Sequence, residues 1–307
     1  MNQQSSQSII RVNGLSKKFR KTLAVDNISF SVHKGEIIGF VGMNGAGKTT
    51  TISMLLGLIA PTKGSIEILR EKITPAKSYK SHNDIGYASG DMELFDGFTA
   101  KQYLDFVRAQ KSHHSDKRFH ELCDLFKPEL SKKIADLSRG NKQKIALIAA
   151  FMCEPQLIIL DEPTSGLDPA MQDVFLQVVR EEQKRGATIF MSSHYIAEIE
   201  AICTRVLLLK NGVLVKDVSA QNLKNSSGKQ VRVVSNSRII TLPQSDLVSL
   251  KKVVGEYRLS AVYHGDAKTL QSWIMRLKGI KDISIEDHNT DAAFRHLYTD
   301  EVEKINE

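Results

Sequence analysis

The chain is poor in the features that would set it apart from ordinary globular proteins, and each shortage excludes something. It has three cysteines in 307 residues, Cys123, Cys153 and Cys203. They are odd in number, far apart and without a C-x-x-C pair, so neither a disulfide framework nor a zinc site is indicated, and small buried hydrophobes in a reducing compartment are expected. The longest uninterrupted apolar stretches, such as Ile145 to Cys153, fall well short of the ~18 to 20 residues that a membrane-spanning helix requires. Met1 to Gln7 lack the charged and apolar regions of a signal peptide, so a cytoplasmic location is expected. No run of like charge accounts for the formal net charge of +7. The lysines are spread along the chain, and the excess suits an anionic partner only in general terms. Internal repeats and low-complexity segments are absent, apart from a short Asn225-Ser226-Ser227-Gly228 linker. With 41% hydrophobic and 25% charged residues, the length suits one large domain and a smaller one rather than a disordered chain.

Glu36 to Val41 form an apolar strand, and Gly42-Met43-Asn44-Gly45-Ala46-Gly47-Lys48-Thr49-Thr50 follows as a glycine-rich turn opening a helix. The spacing G-x-x-x-x-G-K-T is that of a Walker A phosphate loop. Gly42, Gly45 and Gly47 let successive backbone N–H groups face a triphosphate, backed by the helix dipole. Lys48 then reaches the β and γ phosphates, and the Thr49 hydroxyl suits magnesium.

Ile9–Val12 and Ala24–Val32 read as strands of a half-exposed sheet, and Ser65–Leu69 as another. Phe19 either stacks on an adenine ring or belongs to the core. From Thr99 the periodicity becomes helical. Thr99-Ala100-Lys101-Gln102 is a capping box, and Phe119, Leu122, Cys123 and Phe126 form the face of a second helix that stops near Pro128. Leu137-Ser138-Arg139-Gly140-Asn141 opens a third helix, where Ser138 and Gly140 are either a good cap or an anion-facing N-terminus. Leu157-Ile158-Ile159-Leu160-Asp161-Glu162 is a strand buried on both faces. It delivers Asp161 to magnesium near Thr49 and sets Glu162 where it can orient a water attacking the γ phosphate. His194 ends the strand beginning at Ala187, at the carboxyl edge where open α/β sheets bind ligands. His113 and His114 read as exposed loop residues.

Taken together and in this order, these segments resemble the nucleotide-binding subunit of an ATP-binding cassette (ABC) transporter over about two-thirds of the chain. The resemblance implies an α/β fold: a phosphate-loop ATPase core spanning 1–220, a helical subdomain at about 92–153, and a small α+β accessory domain at 221–307. It implies ATP and Mg2+ as cofactors, the latter held by Thr49 and Asp161. Nucleotide contacts would come from Phe19, Gly42, Asn44, Gly45, Ala46, Gly47, Lys48, Thr49 and Thr50. It further implies a head-to-tail dimer with a second copy, in which Ser138 and Gly140 close over the partner's nucleotide and Asp168 couples the two sites. Glu162 and His194 become the catalytic pair, His194 sensing the γ phosphate. Separate transmembrane permease subunits complete the assembly on the inner face of the membrane, with no nucleic acid expected.

Ser138-Arg139-Gly140-Asn141-Lys142-Gln143-Lys144, in place of the commoner Ser-Gly-Gly-Gln, looks like bacterial exporter ATPases of the ABC-2 kind. Arg139 puts a side chain where the usual glycine has none. A second departure is Gly90, aligned with a glutamine that in the family contacts magnesium or the attacking water. Asp91 beside it either supplies a hard oxygen to magnesium in partial compensation, with Gly90 as a hinge, or is a plain turn residue. Beyond Val218, strands are expected at Val231–Val234, Ile239–Leu242, Arg258–Tyr263 and Ile280–Ile285. Helices are expected around Leu270–Leu277, with Trp273 in the core, and at Thr290–Tyr298. Non-transport ABC-type ATPases, whether acting on ribosomes or nucleic acid or purely regulatory, are the competing class.

Overall fold

The computed structural model describes residues 7–91, 94–112, 115–193, 196–222, 228–253 and 255–287. His194, His113, His114, most of the linker and the helix expected at Thr290–Tyr298 lie outside them. The chain divides into two compact units, Met1–Ser219 and Ala220–Glu307.

The first unit is built on two sheets. Strands β1 (Ser8–Phe19) and β2 (Thr22–His33) form a long antiparallel hairpin, turned at Arg20 in the left-handed region, and β4 (Lys63–Ile68) and β5 (Glu71–Lys72) extend it. The second sheet runs β10-β9-β3-β8-β7-β6, with β3 (Ile37–Val41), β6 (Ile85–Ser89), β7 (Leu157–Asp161), β8 (Thr188–Ser193) and β9 (Arg205–Lys210) parallel and β10 (Val213–Ser219) antiparallel at one edge. The near-continuous apolar runs of β3, β7 and β8 are buried at every position, as a sheet covered on both faces requires. The two sheets meet through aromatic rings. Phe30 of β2 stacks on Phe190 of β8 at 5.9 Å, and Phe190 lies 5.2 Å from Phe40 of β3.

Helices complete this unit: α1 (Lys48–Leu55), the short α2 (Tyr79–His82), α3 (Ala100–Ala109), α4 (Asp116–Phe126), α5 (Arg139–Phe151), α6 (Pro169–Arg185) and α7 (Ile196–Ile202). The capping box at Thr99 and Gln102 opens α3, and α4 stops at Lys127 in the left-handed conformation, one residue before Pro128. A buried charge network ties α4 to α6. The Arg118 guanidinium contacts Glu182 at 2.9 Å and Glu181 at 3.1 Å, while Arg185 holds the other oxygen of Glu182 at 2.6 Å. Glu182 is 1% exposed, so both of its partners are needed to offset desolvation.

The second unit is an antiparallel sheet in the order β12-β13-β11-β14. Its described strands are β11 (Lys229–Ser235), β12 (Ser245–Val253), β13 (Glu256–Tyr263) and β14 (Ile280–Asp287), and a helix, α8 (Ala267–Ile274), follows β13. Trp273 is core, its indole N–H donating to the carbonyl of Ile240 at 3.1 Å. Ile239–Leu242 does not form a strand. Ile239 and Leu242 are buried anchors in irregular backbone, and the strand lies just after them, at the sheet edge, where Leu247, Val248, Leu250 and Val253 remain exposed.

Candidate functional site

A cavity of about 480 Å3 opens at the carboxyl ends of β3, β6 and β7. Asn44, Gly45, Gly47, Lys48, Thr49 and Thr50 line it from the turn after β3, Ser89, Gly90 and Asp91 from the end of β6, and Asp161, Glu162 and Ser165 from the end of β7. Ala24 and Arg139 complete the wall.

The glycines of the phosphate loop serve separate purposes. Gly47 caps α1 at φ 104°, and a Cβ there would meet the carbonyl of Ala24 at 2.5 Å. At Gly42 a Cβ would strike the carbonyl of Leu209 at 2.6 Å. The loop is thus pressed against β2 and β9, which fixes the path of its backbone. Gly42 and Ala46 are buried behind the loop, and the carbonyl of Ala46 accepts from the N–H of Gly212 at 3.0 Å. Lys48 is 6% exposed, donates to the carbonyl of Gly42 at 2.7 Å and pairs with Glu162 at 3.2 Å.

The two acids are held by one serine. Ser192 of β8 donates its hydroxyl to Asp161 and accepts from the N–H of Glu162 at 3.0 Å. Asp161 is 3% exposed at the end of β7, whereas Glu162 has turned into the left-handed region at φ 51°. For a non-glycine residue that conformation costs about 1–2 kcal/mol, a strain of the kind that collects at functional sites. It separates the carboxylates of consecutive residues, one toward the sheet and one toward Lys48.

The turn after β7 carries further contacts. Thr164 donates to Glu198 at 2.5 Å and Ser193 donates to the other oxygen of the same carboxylate at 2.9 Å, joining the ends of β7 and β8 to α7. Ser138 is the N-cap of α5, accepting from the N–H of Asn141 at 3.3 Å, and Asp168 is the N-cap of α6, accepting from Met171 at 2.9 Å. Gly140 packs on the turn, since a Cβ there would meet the carbonyl of Gly166 at 2.8 Å. Gln143 of α5 is buried and donates to the carbonyl of Pro163 at 2.7 Å.

Phe19, Ser138, Gly140 and Asp168 are not among the residues that line the cavity. Phe19 is 46% exposed near the hairpin turn, with the Lys17 ammonium 4.9 Å from its ring centroid. Two participants were not anticipated, Arg139 and Ser192. Arg139 lines the cavity of its own chain, its guanidinium donating to Ser165 at 2.8 Å and to Asp91 at 3.0 Å. Asp91 therefore has a cationic partner, which its sequence position beside Gly90 did not disclose. Ser192 was invisible as a functional residue because it reads as one more small residue of a buried strand. Gly90 owes its identity to packing: its N–H donates to the carbonyl of Asp161 at 2.8 Å, and a Cβ would lie 2.8 Å from the carbonyl of Glu162 and 2.9 Å from the Cβ of Ser165.

A glycine loop feeding a helix, with a buried aspartate at the end of another parallel strand of the same sheet, defines a phosphate-loop nucleotide-binding ATPase. The ABC transporter family model matches residues 25–165. An uncharacterized ABC transporter ATP-binding protein of Bacillus subtilis, YcbN, is 32% identical over 92% of this chain and 92% of its own length. The bacitracin transport ATP-binding protein BcrA of Bacillus licheniformis is 34% identical over 72% of this chain and 73% of its own. A solved ATP-binding subunit of an ABC transporter superimposes with a TM-score of 0.65 at 29% identity, covering 70% of this chain and 92% of that one. The chain belongs to the ABC transporter family, among its ATP-binding subunits, and it is an ATP-binding and ATP-hydrolysing transport ATPase. No described helix is long and apolar enough to cross a membrane.

Proposed function

We propose that two copies of this chain, arranged head to tail on the inner face of the cell membrane, power export through separate transmembrane permease subunits. The observation that carries the reading is a single cavity lined by Lys48, Thr49, Asp161 and Glu162. Similarity to a relative named for bacitracin transport supports a role in transport, and export is our reading of its direction. In this reading Asn44 to Thr50 cradle the phosphates through backbone N–H groups and Lys48, with Gly42 and Ala46 shaping the loop behind them. Ser138 and Gly140 cover the nucleotide of the other copy, with Asp168 at the contact, and Phe19 stacks on its own adenine.

The donor set suits magnesium. Thr49 offers a hydroxyl and Asp161 a carboxylate, both hard oxygens beside the phosphate loop, and an ion that keeps several waters needs no more than these plus phosphate. Bound there, magnesium would neutralise charge on the phosphates. Glu162 orients and partly deprotonates the attacking water, and His194 contacts the γ phosphate. Hydrolysis then rests on positioning and electrostatics more than on covalent chemistry.

The test is genetic and biochemical together. A neighbouring gene encoding a protein with about six hydrophobic spans is expected. Co-expression with it should bring the chain into the membrane fraction and raise its ATPase rate. Equal membrane binding without that partner, or stimulation by ribosomes or nucleic acid instead, would sink the export reading.

A further inference from the structure

Both described cations of the cavity wall are held by carboxylates. Lys48 is paired with Glu162 and Arg139 with Asp91. The first pair belongs to the phosphate loop, but the second has no counterpart in that motif. Arg139 stands at the first position of α5, beside the Ser138 cap, and its stem crosses Gly166, whose missing Cβ leaves room for the Arg139 Cγ at 3.2 Å. That route brings the guanidinium to the ends of β6 and β7, where Asp91 and Ser165 receive it from the same nitrogen.

The Asp91 pair is a weak holder. The Asp91 side chain is 92% exposed and that of Arg139 is 63% exposed, and contacts of that kind contribute little because water and salt screen them. A terminal phosphate carries more charge than a carboxylate and offers several oxygens to a planar fork of N–H donors, the geometry a guanidinium binds best. Because Arg139, Lys48 and Thr49 line one cavity, a triphosphate seated on the loop competes with Asp91 directly.

We propose that Arg139 is a phosphate ligand for the nucleotide of its own chain: the triphosphate draws the guanidinium away from Asp91, and this residue favours triphosphate over diphosphate. The inference rests on the cavity being the nucleotide site. It assigns Asp91 as the competing anion that holds Arg139 until then, which gives Asp91 an effect opposite in sign to that of a magnesium ligand.

The experiment measures the affinity of the full-length chain for a non-hydrolysable ATP analogue and for ADP, each with magnesium, at concentrations where sedimentation shows single copies. Arg139→Ala should lose triphosphate affinity by ~5- to 20-fold with ADP changed by less than about twofold, and Arg139→Lys should recover part of the loss. Asp91→Asn should bind the triphosphate more tightly, by up to ~5-fold. Lys48→Ala separates the two readings. If it weakens both nucleotides while Arg139→Ala leaves the ATP-to-ADP ratio unchanged, the cavity reading stands and the Arg139 inference is overturned. If Lys48→Ala weakens neither, the cavity reading fails and takes the inference with it. Weaker triphosphate binding by Asp91→Asn, or an Arg139→Ala loss confined to concentrations where two copies associate, would also overturn it.

Discussion

The Lys48 ammonium lies 3.2 Å from a carboxylate oxygen of Glu162 while donating to the carbonyl of Gly42 at 2.7 Å, so the loop cation and the proposed water-orienting acid neutralise one another. Removing either charge has consequences of different kinds. Glu162→Gln keeps the side-chain volume and removes both the base and the competitor for Lys48. Mg-ATP binding should be retained or tightened, while turnover falls by ~10^2- to 10^4-fold, the usual contribution of a positioned base. Lys48→Ala should instead lose nucleotide affinity. Equilibrium binding and steady-state hydrolysis, measured on the same preparations, check both. Wild-type hydrolysis by Glu162→Gln would remove that residue from the mechanism.

Restoring the family's glutamine should harm this chain. Gly90→Gln places a Cβ 2.8 Å from the carbonyl of Glu162 and 2.9 Å from the Cβ of Ser165. Neither neighbour is the far end of a flexible side chain. Overpacking of this kind costs ~1–3 kcal/mol. A lowered Tm without any gain in ATPase rate is expected, and a gain would mean that the β6 end accommodates the side chain by moving.

Glu182 is the acid on which stability should depend most. With 1% exposure and contacts to Arg118 at 2.9 Å and Arg185 at 2.6 Å, it neutralises cations from both α4 and α6. Glu182→Ala leaves a guanidinium that is 10% exposed without its nearest partner, a loss of ~3–5 kcal/mol in urea unfolding. Glu181→Ala, which removes a half-exposed acid, should cost far less.

The thiols should resist alkylation at neutral pH. Burial, reinforced by Asp124, pushes Cys123 up to about 11, and burial likewise raises Cys153 and Cys203, the latter with Glu198 adding to the effect. Since the thiolate is the reactive form, Cys123 labelling in the folded chain should rise about tenfold per unit from pH 7.5 to 9.5. Unfolding in urea should abolish the difference between the three. Rapid labelling of the native chain at pH 7.5 would contradict the burial of these groups.

What the sequence disclosed follows from how local the cause is. The runs at Ile37–Val41 and Leu157–Asp161 are apolar at nearly every position because the strands are covered on both faces, and the Thr99 capping box is complete within four residues. The strand at Ser245–Val253 escaped notice because at the sheet edge its apolar residues are spaced by Asp246, Ser249, Lys251 and Lys252. The anchors Ile239 and Leu242 took its place as an expected strand, since burial without backbone pairing leaves the same apolar signal. Arg139 and Asp91 are 48 positions apart, and their meeting depends on how α5 is set against the end of β6, which no local pattern encodes. The unusual residue at 139 was itself the available clue.

Between α5 and the turn that follows Asp161 and Glu162 there are three joints: Arg139 on Ser165, Gly140 against Gly166, and Gln143 on Pro163. The close approach of Gly140 to Gly166 and the Gln143 hydrogen bond do not involve the Arg139 guanidinium, so they tie α5 to this turn even when a nucleotide draws that side chain away. Pressure applied to the cap of α5 from outside the chain would then be passed to the segment that follows the acidic pair. In this chain the lever is fastened directly to the turn beside the chemistry.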